Sequence, residues 1–244
     1  MSQHVKIING MATAQFKKVF AVRFVAYFSI LIGFLALSFE FGPIISSEVV
    51  YRTDNLVGIK HTLSPNIVNS LSLDQNRSGS GDSAGFASIN SKSPDSIVPV
   101  STDFGIVIEK INANSKIIPD VDPTNESEYV AALQQGVAEA KGSTEPGQPG
   151  NLYVFSHSVD APWNIVRFNA VFYLLRELDA GDKVVIFYKG RRYDYVVFDK
   201  QIIDPSDTSL LLNRYDKPVL TLQTCDPPGT LLHRLIVRAK LVSS

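Results

Sequence analysis

Hydrophobic residues are distributed in two different ways along this chain. Near the N-terminus they are continuous: Phe24 to Phe39 is an uninterrupted stretch without charge, extended by Phe20 to Val22 before Arg23 and by Phe41 to Ile45 after Glu40. With those flanking charges snorkelling toward the interfaces, residues 20–45 reach spanning length and predict one transmembrane helix. Past residue 101 the pattern becomes strand-like. Phe104 to Ile111 and Lys116 to Ile118 read as a hairpin, Val184 to Tyr188 and Arg192 to Ile203 as a second pair around Lys189-Gly190, and Val219 to Thr224 and Arg234 to Val242 as the last pair. Asn151 to Ser158 reads as a further strand. Two helices interrupt the strands, one near Glu126 to Gln135 with Asn125 as its cap and Glu128 three residues on, the other near Asn164 to Leu178 behind Asp160 and Pro162.

Between the two regimes, Ser70 to Ser101 is rich in Ser, Gly, Asn and Asp and has little hydrophobic periodicity. It predicts a flexible stalk whose ends lie on the order of 30 Å apart. Ser46 to Asn69 fits either a helical extension or a loose strand. The expected organisation is a cytoplasmic tail over 1–19, an anchor over 20–45, a stalk over 46–101 and a strand-rich domain over 102–244. Lys6, Lys17, Lys18 and Arg23 precede the apolar run while Glu40 and Glu48 follow it, so the positive-inside rule puts the N-terminus in the cytoplasm and the bulk outside. A cleaved signal peptide is the alternative, but the run is long for one and no clear Ala-x-Ala site follows.

Composition narrows the classes further. A net charge of -1 without a basic stripe argues against a nucleic-acid partner, and 45% hydrophobic with 19% charged residues suits a globular domain plus a membrane segment. There is no zinc spacing or phosphate loop, and Asp120, Asp122, Glu126 and Glu128 do not follow an EF-hand pattern, so no metal or other cofactor is expected.

The chain has one cysteine, Cys225, at the end of the strand pattern Val219 to Thr224. Outside the cytoplasm a lone thiol is a nucleophile, half of an intermolecular bridge, or a small buried hydrophobe. The segment Thr221-Leu222-Gln223-Thr224-Cys225, followed by His233-Arg234-Leu235-Ile236-Val237 and preceded far upstream by Asn151-Leu152-Tyr153-Val154-Phe155-Ser156-His157, resembles the signature of the sortases, cysteine transpeptidases of bacterial cell surfaces. The resemblance covers roughly residues 102–244 and implies a mainly β fold, an eight-stranded sortase-type barrel with two or so short helices. It also implies a single-pass protein of the bacterial cell membrane whose catalytic domain faces outward.

The same resemblance implies roles. Cys225 would be the nucleophile, His157 the general acid/base and Arg234 the oxyanion partner, with Thr224 lining the site and Trp163 as a candidate wall of the substrate groove. The substrate would be an exported protein with a C-terminal Leu-Pro-x-Thr-Gly-type sorting signal, and the acceptor an amine on a cell-wall peptide or a pilin lysine. These residue types suit acyl transfer. A free thiol is only about 3% thiolate at pH 7, yet intrinsically nucleophilic; a histidine can protonate a leaving amine; a guanidinium stays charged and offers several donors to an oxyanion.

His4 precedes the membrane run and His61 lies in the stalk region, while His233 adjoins Arg234 and must face the opposite side of its strand. Arg238 competes with Arg234 on the same face, and Asp204, Asp207 and Asp226 are further polar neighbours in sequence. Asp160-Ala161-Pro162-Trp163 is similar to the lid motif of pilin-polymerising sortases but follows the histidine strand instead of preceding the barrel, so it reads as a helix start. The absence of a hydrophobic segment after Leu241 leans toward protein anchoring. Two rival readings are another extracytoplasmic cysteine enzyme acting on peptidoglycan, whose local Cys and His patterns do not occur here, and a catalytically silent peptide-binding barrel, which would need none of the three side chains.

Overall fold

Helix α1 (Ser2–Val57) carries the apolar run, and its stretch Phe16–Ser38 has a mean hydropathy of 2.2 with none of it buried. At about 1.5 Å per residue that stretch is long enough to cross a hydrocarbon core. The computed structural model describes residues 2–63, 96–157, 171–212 and 214–244. Met1–Ser47 is one compact unit and Glu48–Ser244 the other.

In the second unit, eight strands close a barrel. They are β3 (Phe104–Ile108), β4 (Ala113–Val121), β5 (Val137–Ala140), β6 (Gly150–Phe155), β7 (Lys183–Tyr188), β8 (Arg191–Ile203), β9 (Pro218–Asp226) and β10 (His233–Ser243). Around the barrel the order is β10-β8-β7-β3-β4-β5-β6-β9, with β9 paired to β10 to complete it. The pairs β4–β5 and β6–β9 are parallel and the rest antiparallel. All three expected pairs form: β3 with β4, β7 with β8, β9 with β10. The β7–β8 hairpin turns on Lys189 and Gly190, both at positive φ (49° and 73°), as a two-residue turn matching the twist of its strands requires.

Alternation along each strand sorts the side chains. Leu152 and Val154 of β6, Leu220 and Leu222 of β9, and Leu235 and Val237 of β10 join one buried cluster inside the barrel. Tyr153 and Phe155, one residue out of phase on β6, belong to a second cluster with Leu133 and Ala138, outside the barrel beneath α2 (Glu126–Leu133). Asn125 caps α2, its side-chain oxygen accepting from the Glu128 amide, while the Glu128 carboxylate accepts from the Asp122 amide at 2.8 Å. The Asn125 cap is the one expected from the spacing, whereas Glu128 reaches the Asp122 amide and not, as in a capping box, that of Asn125, which donates to the Asp122 carbonyl.

One stretch differs from the sequence-based expectation, and the helical alternative for Ser46 to Asn69 is found as far as Val57. Of the helix expected near Asn164 to Leu178, residues 164–170 lie outside the described residues; residues 171–178 form a series of turns with a short 3-10 helix, Leu175–Glu177. Phe172, Leu175 and Leu178 are all fully buried, and their spacing of three fits three residues per turn. The segment 46–101 is structured at both ends. Helix α1 continues to Val57, where Tyr51 packs against the barrel core and the Glu48 carboxylate meets Arg176 at 2.9 Å. Strand β1 (Thr62–Leu63) then pairs in parallel with β2 (Ser96–Ile97), and Leu63 and Ile97 bury against Val107, Val185 and Phe187. Residues 64–95, the greater part of the expected stalk, lie outside the described residues.

A buried polar link ties β6 to β9. The Thr221 hydroxyl donates to Asn151 Oδ1 at 2.7 Å, and Asn151 Nδ2 donates to the carbonyl of Leu210, in the short helix α3 (Ser209–Leu212), at 2.9 Å. Both side chains are essentially inaccessible. Asn151→Ala strands two buried polar partners at once, so it is expected to destabilise the domain by about 2–4 kcal/mol, read as a lowered urea midpoint for the detergent-solubilised chain. Thr221→Val, which strands one, should cost less.

Candidate active site

The end of β9 places Cys225 between two neighbours. On one side β10 runs antiparallel, and Arg234 is its Cα partner. The pair shares a face because directly opposite residues project the same way. Arg234 Nη1 lies 3.6 Å from the Cys225 sulfur and also donates to the carbonyl of His233 at 3.2 Å.

On the other side β6 runs parallel to β9, with Gly150 opposite Pro218 and Phe155 opposite Gln223. The ladder continues past the last formal pair. The Ser156 amide donates to the Gln223 carbonyl at 3.1 Å, and the Thr224 hydroxyl donates to the Ser156 carbonyl at 3.0 Å, a separation of 68 residues. Carried one residue beyond Ser156, the same offset would set His157 opposite Cys225. Alternation agrees: Leu152, Val154, Leu220, Leu222, Leu235 and Val237 point into the barrel, so His157, Cys225 and Arg234 belong to its outer face. His157 is half-buried there.

Burial pushes the Cys225 thiol above its ordinary pKa, and the positive charge of Arg234 opposes that rise without reversing it. Burial thus favours the protonated thiol over the thiolate.

The remaining sequence candidates are distributed as follows. Thr224 is buried, with its hydroxyl committed to the Ser156 carbonyl, so it fastens β9 to β6 instead of lining an open surface. Trp163 lies outside the described residues, as do Asp160 and Pro162. Arg238 turns to its own partners: Nε and Nη2 donate to Asp199 at 2.9 and 2.7 Å, Nη1 donates to the Tyr215 hydroxyl at 3.1 Å, and the guanidinium lies over the Phe198 ring. His233 is exposed, opposite Asp226. Asp204 and Asp207 accept hydrogen bonds from Ser206 and Ser209 in their own turns, which holds both carboxyls below the usual range. Among the described residues no group of three His, Cys, Asp or Glu side chains is arranged to hold a metal.

The structure adds two residues that the sequence reading assigned no role, Tyr153 and Gln223. The Tyr153 hydroxyl donates a short hydrogen bond to Gln223 Oε1. Burial drives the Tyr153 pKa well above its ordinary value, with Arg234 pulling the other way, so the phenol stays protonated and remains a donor. The signal was present in the sequence: Tyr153 and Gln223 lie an even number of residues before His157 and Cys225, on the same face.

Residues 106–242 match the family model for the sortase domain. Over 139 residues the chain is 27% identical to sortase D of Bacillus subtilis, covering 56% of this chain and 62% of that protein's length. Among solved structures, a lid mutant of sortase A from Corynebacterium diphtheriae superposes with a TM-score of 0.50 at 28% identity, covering 59% of this chain and 72% of that one. Sortase C-1 from Actinomyces oris does so with a TM-score of 0.50 at 25% identity, covering 59% and 75%.

The sign of the Arg234 effect on the thiol gives a direct test. An adjacent positive charge favours the thiolate, so removing it raises the thiol pKa further. Arg234→Ala should move the pH profile of Cys225 alkylation by iodoacetamide to higher pH, with Arg234→Lys in between and Arg238→Ala unchanged. An unshifted profile in Arg234→Ala would show that the guanidinium does not act on the sulfur.

Proposed function

Since the chain belongs to the sortase family, we propose that it is a cysteine transpeptidase that cleaves a Leu-Pro-x-Thr-Gly-type sorting signal on exported proteins and transfers the acyl part to a surface amine. The observation that carries this reading is the juxtaposition at the end of β9: a thiol facing a guanidinium across the β9–β10 ladder, with the β6 register leading to a histidine on its other side. A peptide-binding barrel without chemistry has no need of that set.

In this mechanism His157 accepts the Cys225 proton as the sulfur attacks the acyl carbon of the signal's threonine. The negative charge that develops on the carbonyl oxygen is stabilised by Arg234. The tetrahedral intermediate collapses, the carbon–nitrogen bond breaks, and His157 returns the proton to the departing amine, which leaves a thioester on Cys225. An incoming amine then attacks the thioester and loses a proton, the carbon–sulfur bond breaks, and the thiol is restored. The acceptor amine belongs to a cell-wall peptide or a pilin lysine. Helix α1 would hold the chain in the bacterial membrane with the barrel on the outer side, as the charges flanking the apolar run favour.

Two experiments test this reading. The detergent-solubilised chain, incubated with a library of sorting-signal peptides and candidate amines, should show an acyl adduct on Cys225 by mass spectrometry; Cys225→Ala should show none while remaining folded. An adduct on the variant would move the nucleophile elsewhere. In peptide cleavage, His157→Ala should lower turnover by about 10² to 10⁴, the range for loss of a general acid/base, and His233→Ala should be far milder. An exchange of these effects would transfer the role to His233.

A further inference from the structure

Gln223 lies two residues before Cys225 on β9 and on the same outer face, between its Cα partners Phe155 on β6 and Ile236 on β10. It is half-buried, whereas Phe155 and Ile236 are buried. Its side-chain oxygen is held by the hydroxyl of Tyr153, which is itself packed into the apolar cluster beneath α2. A carboxamide has one acceptor end and one donor end. With the oxygen fixed on Tyr153, the NH₂ group is the end turned away from the cluster.

The spacing fits an extended peptide. Two residues of strand span roughly 6.8 Å, so the Gln223 Cα lies about that far from the Cys225 Cα. In an extended substrate, alternate carbonyls point the same way and repeat at about the same distance. A peptide whose scissile carbonyl lies at the Cys225 sulfur and Arg234 therefore brings a second carbonyl, two residues away, level with Gln223.

We propose that the Gln223 carboxamide is a substrate-binding donor, hydrogen-bonding through its NH₂ to the backbone carbonyl two residues before the scissile bond, and that Tyr153 is the positioning residue that fixes its orientation. The carbonyl is assigned to the acyl side because that part stays attached through the thioester while the amine exchanges. This rests on the acyl-transfer reading above. The contact reads backbone instead of side chain, so it serves register: it holds the extended chain at one setting along β9 while Arg234 takes the oxygen that becomes charged.

The test is steady-state kinetics with the full chain in detergent, using a sorting-signal peptide and its analogue in which that one carbonyl is replaced by CH₂. Gln223→Met, similar in length but lacking the donor, should raise KM about 3- to 10-fold with kcat little changed, the scale of one neutral hydrogen bond. Tyr153→Phe should produce a smaller rise, since it frees the amide to rotate without removing it, and Gln223→Asn should fail to rescue because its amide falls short. With the CH₂ analogue the wild type and Gln223→Met should converge. The alkylation rate of Cys225 and the thermal midpoint should stay at wild-type values in Gln223→Met. Equal KM on the unmodified peptide, or a loss that persists undiminished on the analogue, would overturn the assignment while leaving the acyl-transfer reading intact; a loss shared with alkylation rate and thermal midpoint would make Gln223 structural and overturn it likewise. A wild type that forms no adduct with any peptide would overturn the acyl-transfer reading, and this inference with it.

Discussion

The register of β9 between β6 and β10 is the constraint on which the site depends. Cys225 faces Arg234 through an antiparallel ladder, and the parallel β6–β9 ladder, whose last pair is Phe155 with Gln223, runs toward His157. Each ladder is fixed by the inward residues that it must bury, Leu220 and Leu222 on β9 against Leu152 and Val154 on one side and Leu235 and Val237 on the other. A slip of one residue in either pairing would turn apolar side chains outward and the polar set inward, so the core enforces the geometry of the surface. The buried Asn151–Thr221 bond and the Thr224–Ser156 bond add polar pins at two heights along the β6–β9 seam.

Two physical effects oppose each other at the Cys225 sulfur. Burial disfavours the Cys225 thiolate, Arg234 favours it, and burial wins. In the acyl transfer proposed above, the guanidinium would act on a charge that appears during attack, which is the distinction between stabilising a transition state and stabilising a ground state. Arg238, four residues on, illustrates the opposite use of the same side chain. Its donors are engaged by Asp199 and Tyr215, so it secures the outer surface of β10 and leaves Arg234 as the guanidinium at the sulfur.

Much of this was legible in the chain. Short runs of β-branched and aromatic residues marked β7, β8, β9 and β10, and Lys189-Gly190 marked a hairpin, because such strands and tight turns leave local signatures. The facing of Arg234 and the exposure of His233 followed from alternation alone. Other features had no such local trace. Strand β5 is four residues long with two alanines, too short and too small to stand out. Phe172, Leu175 and Leu178 looked helical because a spacing of three fits the helix template nearly as well as the 3-10 one. Thr224 resembled a site residue by adjacency, yet its parity puts it inward, where its hydroxyl closes onto Ser156.

The parallel pairing of β1 with β2 changes how the segment between them relates to the barrel. Leu63 and Ile97 are held side by side, about 4.8 Å apart as neighbouring strands are, and both are buried against the same strands. The segment between them therefore begins and ends at neighbouring positions of one strand pair. Lengthening such an excursion adds only a logarithmic closure entropy, roughly 0.6 kcal/mol per doubling, and does nothing to the separation of its ends. Changes of length between Leu63 and Ser96 therefore leave both ends where the strand pair holds them.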